Sequence, residues 1–125
     1  DNHVYQIGSK FGQDTIIDKN GDDVINFEDV NHEDFWFWKS GKDLQIGVMG
    51  TDDRLLIEDW YKGKNNKIEV FNTSSDNYTL YESNIQQLVD AMASFNPPAS
   101  GVLDVPQDAR EDAQTVIAGS WESTA

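Results

Sequence analysis

The sequence predicts a mainly β fold: a short parallel β-roll coil, capped by antiparallel strands and one amphipathic C-terminal helix, and followed by a flexible tail. Three observations support this prediction. A Gly-x-Asp-x-Ile pattern occurs twice near the start, polar and apolar residues alternate through much of 35–82, and the period changes in 83–95. Alternation is typical of a half-buried strand, whereas spacings of three and four residues are typical of an amphipathic helix.

The repeated pattern consists of Gly12-Gln13-Asp14-Thr15-Ile16 and Gly21-Asp22-Asp23-Val24-Ile25, which start nine residues apart. Each unit predicts a tight turn and a very short strand, because glycine accepts positive φ and strand side chains alternate between two faces. Two units would complete one coil of a parallel roll, with Asp14 and Asp23 on opposite edges. Nonapeptide repeats rich in Gly and Asp are a recognised repeat signature.

The turns of this coil are the candidate metal site. Calcium takes about six to eight oxygen ligands, which carboxylates beside turned-in carbonyls supply. An ion on one edge needs oxygens from turns one coil apart, so Asp23 would pair with the turn before Tyr5, and Asp14 with the loop at 28–31. We expect roughly one or two ions. The candidate ligands are Asp14 and Asp23, then Asp18, Asn20 and Asp22, with the carbonyls of Gly12 and Gly21.

The middle of the chain, 35–82, predicts a run of antiparallel strands. Its apolar segments are rich in β-branched and aromatic residues, and turn residues separate them. The expected strands are at 35–38, 43–48, 55–61, 68–71 and 78–81, after shorter ones at 3–7, 15–17 and 24–27. We interpret the aromatic residues of this region mainly as core.

The last part of the chain predicts one clear helix at 83–95, which Asn96-Pro97-Pro98 ends. Residues 96–107 are typical of a flexible linker, and 108–118 predict a second, weaker helix. We expect the final ~25 residues to be mobile unless Trp121 docks. The apolar face of the first helix consists of Ile85, Leu88, Val89, Met92 and Phe95.

The composition excludes several classes of function. With 23 acidic and 9 basic residues the net charge is −14, which argues against nucleic acid or an anionic membrane as a partner and favours cations. The absence of cysteine excludes disulfides, thiolate zinc sites and a cysteine nucleophile. No apolar run approaches the roughly 20 residues of a membrane helix. Because the sequence opens at Asp1 with neither Met nor a visible signal peptide, we expect a C-terminal piece of a longer protein.

Residues 18–29 also resemble an EF-hand loop, with Asp18, Asn20 and Asp22 at its first three ligand positions. Two departures weaken the match, because Asp23 stands where the sharp turn needs glycine and Asp29 stands where a bidentate Glu is expected. The entering segment is strand-like rather than helical. An EF-hand or dockerin-like calcium module is therefore the alternative for the same residues.

The order of further segments resembles the end of an RTX (repeats-in-toxin) protein. Tyr5-Gln6-Ile7-Gly8 precedes the two turns, and segments such as Ile57-Glu58-Asp59-Trp60-Tyr61 resemble the non-repeat flank of that family. The helix at 85–95 is similar to the one near the end of RTX adhesins and of the adenylate cyclase toxin, and the ending at 116–121 is similar too. His3, Lys10 and Phe11 depart from the pattern, since the family places Gly or Asp there.

The resemblance implies a calcium-binding C-terminal module that helps a large secreted protein to fold. Residues 1–34 would end the roll, 35–95 would cap it, and 96–125 would form a linker and the uncleaved signal for a type I secretion apparatus. The implied module folds on export into calcium-rich medium, stacks on upstream RTX repeats and belongs to a secreted or cell-surface toxin or adhesin.

No catalytic constellation is visible in the sequence. His3 and His32 are the only histidines, no pair of carboxylates stands out as an acid/base couple, and there is no glycine-rich phosphate loop. We therefore expect no enzyme activity. A further alternative is a carbohydrate-binding surface formed by Trp36, Trp38 and Trp60, which burial of all three would count against.

Overall fold

The computed structural model describes residues 3–8, 10–17, 21–63, 67–98 and 100–124, and the chain is mainly β. These residues form nine strands in two mixed sheets and two α-helices. The strands are β1 (Val4–Ile7), β2 (Gln13–Ile16), β3 (Val24–Phe27), β4 (Phe35–Ser40), β5 (Asp43–Val48), β6 (Arg54–Ile57), β7 (Val70–Thr73), β8 (Tyr78–Tyr81) and β9 (Trp121–Ser123), and the helices are α1 (Ile85–Ala91) and α2 (Gln107–Ser120).

The first three strands form the predicted roll coil. The chain passes from β1 in one sheet to β2 in the other and returns with β3, which pairs with β1 in parallel, Val4 opposite Val24. Gly12 and Gly21 have φ of 73° and 102°, in the region that favours glycine. The prediction that these glycines make tight turns between short strands is confirmed.

Parallel pairing continues beyond this coil, which corrects the prediction that 35–82 is a run of antiparallel strands. β6 pairs in parallel with β2, and β7 pairs in parallel with β3. The sheet orders are β1-β3-β7-β8-β9 and β2-β6-β5-β4. A second coil, formed by β6 and β7, therefore follows the first. The antiparallel hairpin of β4 and β5 is inserted in the chain between β3 and β6.

The aromatic run of β4 joins the roll and the cap in one core. Its residues Phe35 to Trp38 are all buried, and the Trp36 indole N–H donates to the Phe95 carbonyl oxygen at 3.2 Å. The ring of Phe27, at the end of β3, lies 4.6 Å from the ring of Phe35. The prediction that the aromatic residues of this region form core is confirmed.

The two helices differ in length from the expectation. The predicted helix at 83–95 contains a 3₁₀ turn at Glu82–Asn84 and the short helix α1, whereas the helix expected to be weaker is the longer one, α2. Pro106 directly precedes α2, a place that suits its fixed φ. The buried alanines Ala109 and Ala113 lie on its inner face. Close packing through these small residues stabilises α2. The sequence of α2 has no stripe of large apolar residues from which such packing could have been predicted.

The expected flexible tail requires a correction. The sequence predicts a tail that is mobile unless Trp121 docks, and Trp121 does dock. Trp121 is 4% exposed, its strand pairs with β8, and its ring stacks 6.0 Å from that of Phe35. The segment before α2 is held as well: Leu103 exchanges backbone hydrogen bonds of 2.8 Å with Gly50 and Thr51. The described end of the chain is thus part of the core. None of the helices described here is long and apolar enough to cross a membrane.

Candidate functional site

The turns that precede the parallel strands are the candidate site, because several of the predicted ligands lie there, namely Gly12, Gly21, Asp22 and Asp23. His3, Asp23 and Glu69 come directly before β1, β3 and β7, whose first residues lie side by side. These three residues therefore form one row across the edge of the five-stranded sheet. In the other sheet Gly12 and Asp53, which precede β2 and β6, form a second row.

In the first row each carboxylate accepts the backbone N–H of its neighbour. Asp23 Oδ1 accepts the His3 N–H at 2.9 Å and lies 3.2 Å from His3 Nδ1. Glu69 Oε1 accepts the Asp23 N–H at 2.7 Å. In the opposite direction Val24 donates its N–H to the His3 carbonyl at 2.9 Å, and Val70 donates to the Asp23 carbonyl at 3.3 Å. We call this arrangement a carboxylate clamp: the carboxylate accepts the N–H of one residue, and the N–H that follows the carboxylate residue donates to the carbonyl of that same residue.

The second row contains a carboxylate clamp of the same form. Asp53 Oδ1 accepts the Gly12 N–H at 2.9 Å, and Arg54 donates its N–H to the Gly12 carbonyl at 2.7 Å. The other oxygen, Asp53 Oδ2, accepts the Lys10 N–H at 3.1 Å. Asp53 is only 7% exposed. Both of its carboxylate oxygens accept hydrogen bonds from backbone N–H groups of the turn before β2.

Carboxylates are crowded around the first row. Burial raises the pKa of Glu69 above its ordinary value, and the negative charges of Asp23 and Asp22 raise it further, although the hydrogen bond from the Asp23 N–H opposes them. Like charges close together disfavour the ionised form. A cation bound beside this row would relieve that repulsion.

The structure separates the predicted carboxylate ligands by exposure. Asp23 is fully buried in the clamp, whereas Asp14 and Asp22 are exposed. Asp18 and Asn20 lie outside the described residues. Of the predicted carbonyl ligands, that of Gly12 already accepts the Arg54 N–H. Among the residues that the structure describes, no three His, Asp or Glu side chains are arranged to hold a metal ion.

The structure places Asp23, but not Asp14, beside the turn with which the coil spacing would pair it at an ion. Asp23 contacts His3 in the turn before Tyr5, as the coil spacing predicts. Asp14 lies in β2 opposite Leu55 of β6, rather than beside the loop at 28–31. The reason is the inserted hairpin of β4 and β5. The chain forms this hairpin before it reaches the position next to β2, so that β6 and not the loop at 28–31 lies beside β2.

Asp53 and Glu69, which close two of the clamps, are not among the ligands that the sequence predicts. The sequence predicts a turn at Asp53 and a strand at Glu69, and neither residue belongs to the Gly-x-Asp-x-Ile pattern. The signal that distinguishes both is an acidic residue directly before a β-branched or apolar strand that pairs in parallel. That signal is visible only when the pairing partners are known.

A different carboxylate holds the opposite ends of β3 and β7. Asp76 Oδ2 accepts the backbone N–H of His32 at 3.0 Å and lies 2.7 Å from His32 Nδ1. The Thr73 hydroxyl donates to Asp76 Oδ1, and the His32 ring stacks on that of Tyr78 at 3.7 Å. This cluster joins the loop after β3 to the turn after β7, so acidic side chains tie the coils together at both ends.

Two alternatives from the sequence are excluded. Trp36, Trp38 and Trp60 are 0%, 7% and 2% exposed, so they cannot form a sugar-binding face. Within the segment that an EF-hand would use as its entering helix, Gln13–Ile16 form strand β2, and Val24–Phe27 form strand β3 inside the supposed loop. The strands leave no place for an EF-hand at these residues.

The alternation between two sheets, the parallel register and the acidic turns define a class: the end of a parallel β-roll, closed on one side by antiparallel strands. Comparison with known families agrees with this class. Residues 43–75 match the model of the haemolysin-type calcium binding protein related domain. The matched segment runs from β5 through β7 and includes both Asp53 and Glu69. The match supports a calcium-binding region of RTX type in this chain.

Proposed function

We propose that this chain is the calcium-binding C-terminal end module of a large secreted RTX protein. The observation that carries the proposal is the asymmetry of the two sheets. Among the residues that the structure describes, β1 and β2 are outer strands of different sheets, and each pairs in parallel with a single neighbour. One coil of a preceding repeat would therefore add one parallel strand to each sheet, which is the geometry of an extended roll.

The exposure of the two edge strands supports the addition of a preceding coil. Val4 is 63% exposed, and three of the four residues of β2 are exposed. Unpaired strand edges attract further strands, and stacked repeats need their open ends covered. On the other side β7 is followed by β8 and β9, which pair antiparallel, and β6 by β5 and β4. These strands and α1 would serve as the cap of the roll.

Calcium would bind at the turns of the open end. Asp14 is exposed at the start of β2 on one edge, and Asp22 is exposed on the other, beside the negative charges of Asp23 and Glu69. Asp18 and Asn20 are close to both in sequence. With a net charge of −14, the chain repels itself until cations are bound. Binding of calcium to a folded arrangement of carboxylates stabilises that arrangement over the unfolded chain.

The secretion role of the C-terminal segment is part of the same proposal. Residues 96–125 would carry the uncleaved signal that a type I secretion apparatus reads. On export into calcium-rich medium the module would fold, with Leu103, Ala113 and Trp121 in the core as they are here and with calcium acting at the open end. The parent protein would be a secreted or cell-surface toxin or adhesin, and this module would have no catalytic role of its own.

Calorimetric titration of the full chain with calcium tests the calcium site. We expect binding in the range of roughly 10⁻⁴–10⁻³ M that is typical of extracellular modules. Asp14→Asn and Asp22→Asn should each weaken it, because each removes a ligand charge, whereas Asp112→Asn on the exposed face of α2 should not. Absence of any calcium-dependent heat or change in circular dichroism at millimolar calcium would contradict the proposal.

A further inference from the structure

The three carboxylate clamps repeat one geometry at separate places. In each, a carboxylate directly before a strand accepts the backbone N–H of the residue directly before the neighbouring parallel strand. The acceptors are Glu69, Asp23 and Asp53, at 2.7, 2.9 and 2.9 Å. The recurrence in both sheets, between strands that are distant in the sequence, indicates a structural device of the roll.

A clamp joins successive turns, as a bridging cation would. A cation holds successive turns together because it neutralises the carboxylates and binds oxygens from both turns. In a clamp the backbone N–H stabilises the ionised carboxylate by a charge-assisted hydrogen bond, which is stronger than a bond between neutral groups. Asp53 shows this most completely, since both of its oxygens accept backbone N–H groups and the side chain is buried.

We propose that Asp53, Asp23 and Glu69 replace calcium in the coils of this module, so that its capped end folds without the cation. The inference rests on the proposed function, because it states where the calcium requirement of the roll stops.

The rows of clamps end at the open edge. The outermost members are His3 and Gly12, and neither carries a carboxylate that could accept the N–H of a preceding coil. A coil added to β1 and β2 therefore cannot be joined to this module by another clamp. Calcium bound at the exposed Asp14 on one edge and at the exposed Asp22 on the other supplies the missing bridges, and the boundary between clamped and calcium-joined coils lies at β1 and β2.

The test is urea unfolding of the full chain at neutral pH, in EDTA and in millimolar calcium. Wild type should unfold cooperatively in EDTA. Asp53→Asn presents an amide N–H₂ to one of two backbone N–H groups and should lower the folding equilibrium constant about tenfold (~1.4 kcal/mol), by the same factor in both solutions. If Asp53→Asn does not fold, Glu69→Gln is the replacement variant, because it affects a single hydrogen bond. It should lower the folding equilibrium constant by the same factor in EDTA and in calcium.

Asp14→Asn is the matched control with the opposite expectation. It removes the same charge from an exposed strand residue, so it should leave stability in EDTA unchanged and reduce only the increment that calcium adds. If wild type is unfolded in EDTA, or if Asp53→Asn lowers stability only in calcium, the proposal that the clamps replace calcium is overturned. If calcium stabilises no variant while the Asp53→Asn effect persists, the clamps are supported and the proposed calcium function fails.

Discussion

At the scale of single residues, Asp76 shows what holds a carboxylate in this fold. Burial alone would raise its pKa, but the Thr73 hydroxyl and the ring and backbone N–H of His32 outweigh burial and lower the pKa below its ordinary value of 3.8. A lowered pKa in the folded state means that the ionised form is stabilised by folding. Its contribution is therefore present above the unfolded pKa and lost as the pH falls through the folded pKa.

Replacement of Asp76 by Asn should destabilise the protein by about 2 kcal/mol at pH 7, because hydrogen bonds to an ionised acceptor are lost. The difference from wild type should shrink as the pH falls below 3.8, where wild type protonates too. Urea unfolding across this pH range measures it. Asp112→Asn, which removes a charge from an exposed position on α2, is the control and should change stability little. An effect of Asp76→Asn that does not depend on pH would contradict this account.

The residue types of the site could be predicted from the sequence, but not all of the partners. The coil spacing identified Asp23 and its proximity to the turn before Tyr5. Asp53 and Glu69 could not be found by spacing, because a hairpin and further turns separate them from Gly12 and Asp23, which they contact. Contacts between distant segments depend on packing that no local pattern records.

At the scale of secondary-structure elements, the segment before α2 depends on a close approach to β5. A Cβ atom at Gly47 would lie 2.7 Å from Leu103 Cδ2 and 3.0 Å from the Trp38 ring. Leu103 is fully buried, and Arg54 donates from Nη2 to the Gly101 carbonyl at 3.0 Å. The absence of a side chain at Gly47 thus allows this segment to pack against the sheet.

Gly47→Ala should therefore destabilise the protein by about 1–3 kcal/mol, since overpacking displaces Leu103 or the Trp38 ring. Gly119→Ala is the matched control, because a Cβ there meets nothing within 4 Å and alanine favours a helix by roughly 0.5–1 kcal/mol. Thermal or urea unfolding compares the two variants. Equal effects would show that the segment is not packed as described.

Most strands were predictable because each is a short apolar segment, rich in β-branched or aromatic residues, between turn residues. β3, β5 and β8 have the expected bounds, and β4 extends two residues beyond its prediction. The expected strand at 55–61 is shorter, since β6 ends at Ile57 and a 3₁₀ turn follows at Trp60–Lys62. The parallel partners of β6 and β7 and the docking of Trp121 were not predictable, because they depend on which surfaces the roll leaves uncovered.

At the scale of the whole molecule, the two ends of the roll have opposite character. One end presents β1 and β2, both parallel edges with exposed residues. The other is closed by antiparallel strands, by α1 and by the docked Trp121. The repeated Gly-x-Asp-x-Ile pattern predicted the open end, whereas the closed end follows from aromatic residues that the sequence identified as core without showing their arrangement.

Hydrogen exchange of the full chain, followed by mass spectrometry in EDTA and in millimolar calcium, locates the action of calcium along the chain. Calcium should act at the open end of a roll whose capped end is already folded. We predict that calcium slows exchange in peptides covering β1, β2 and the turn at Asp22, and leaves β7, β8 and β9 equally protected in both solutions. Protection gained uniformly along the chain, or nowhere, would contradict the account.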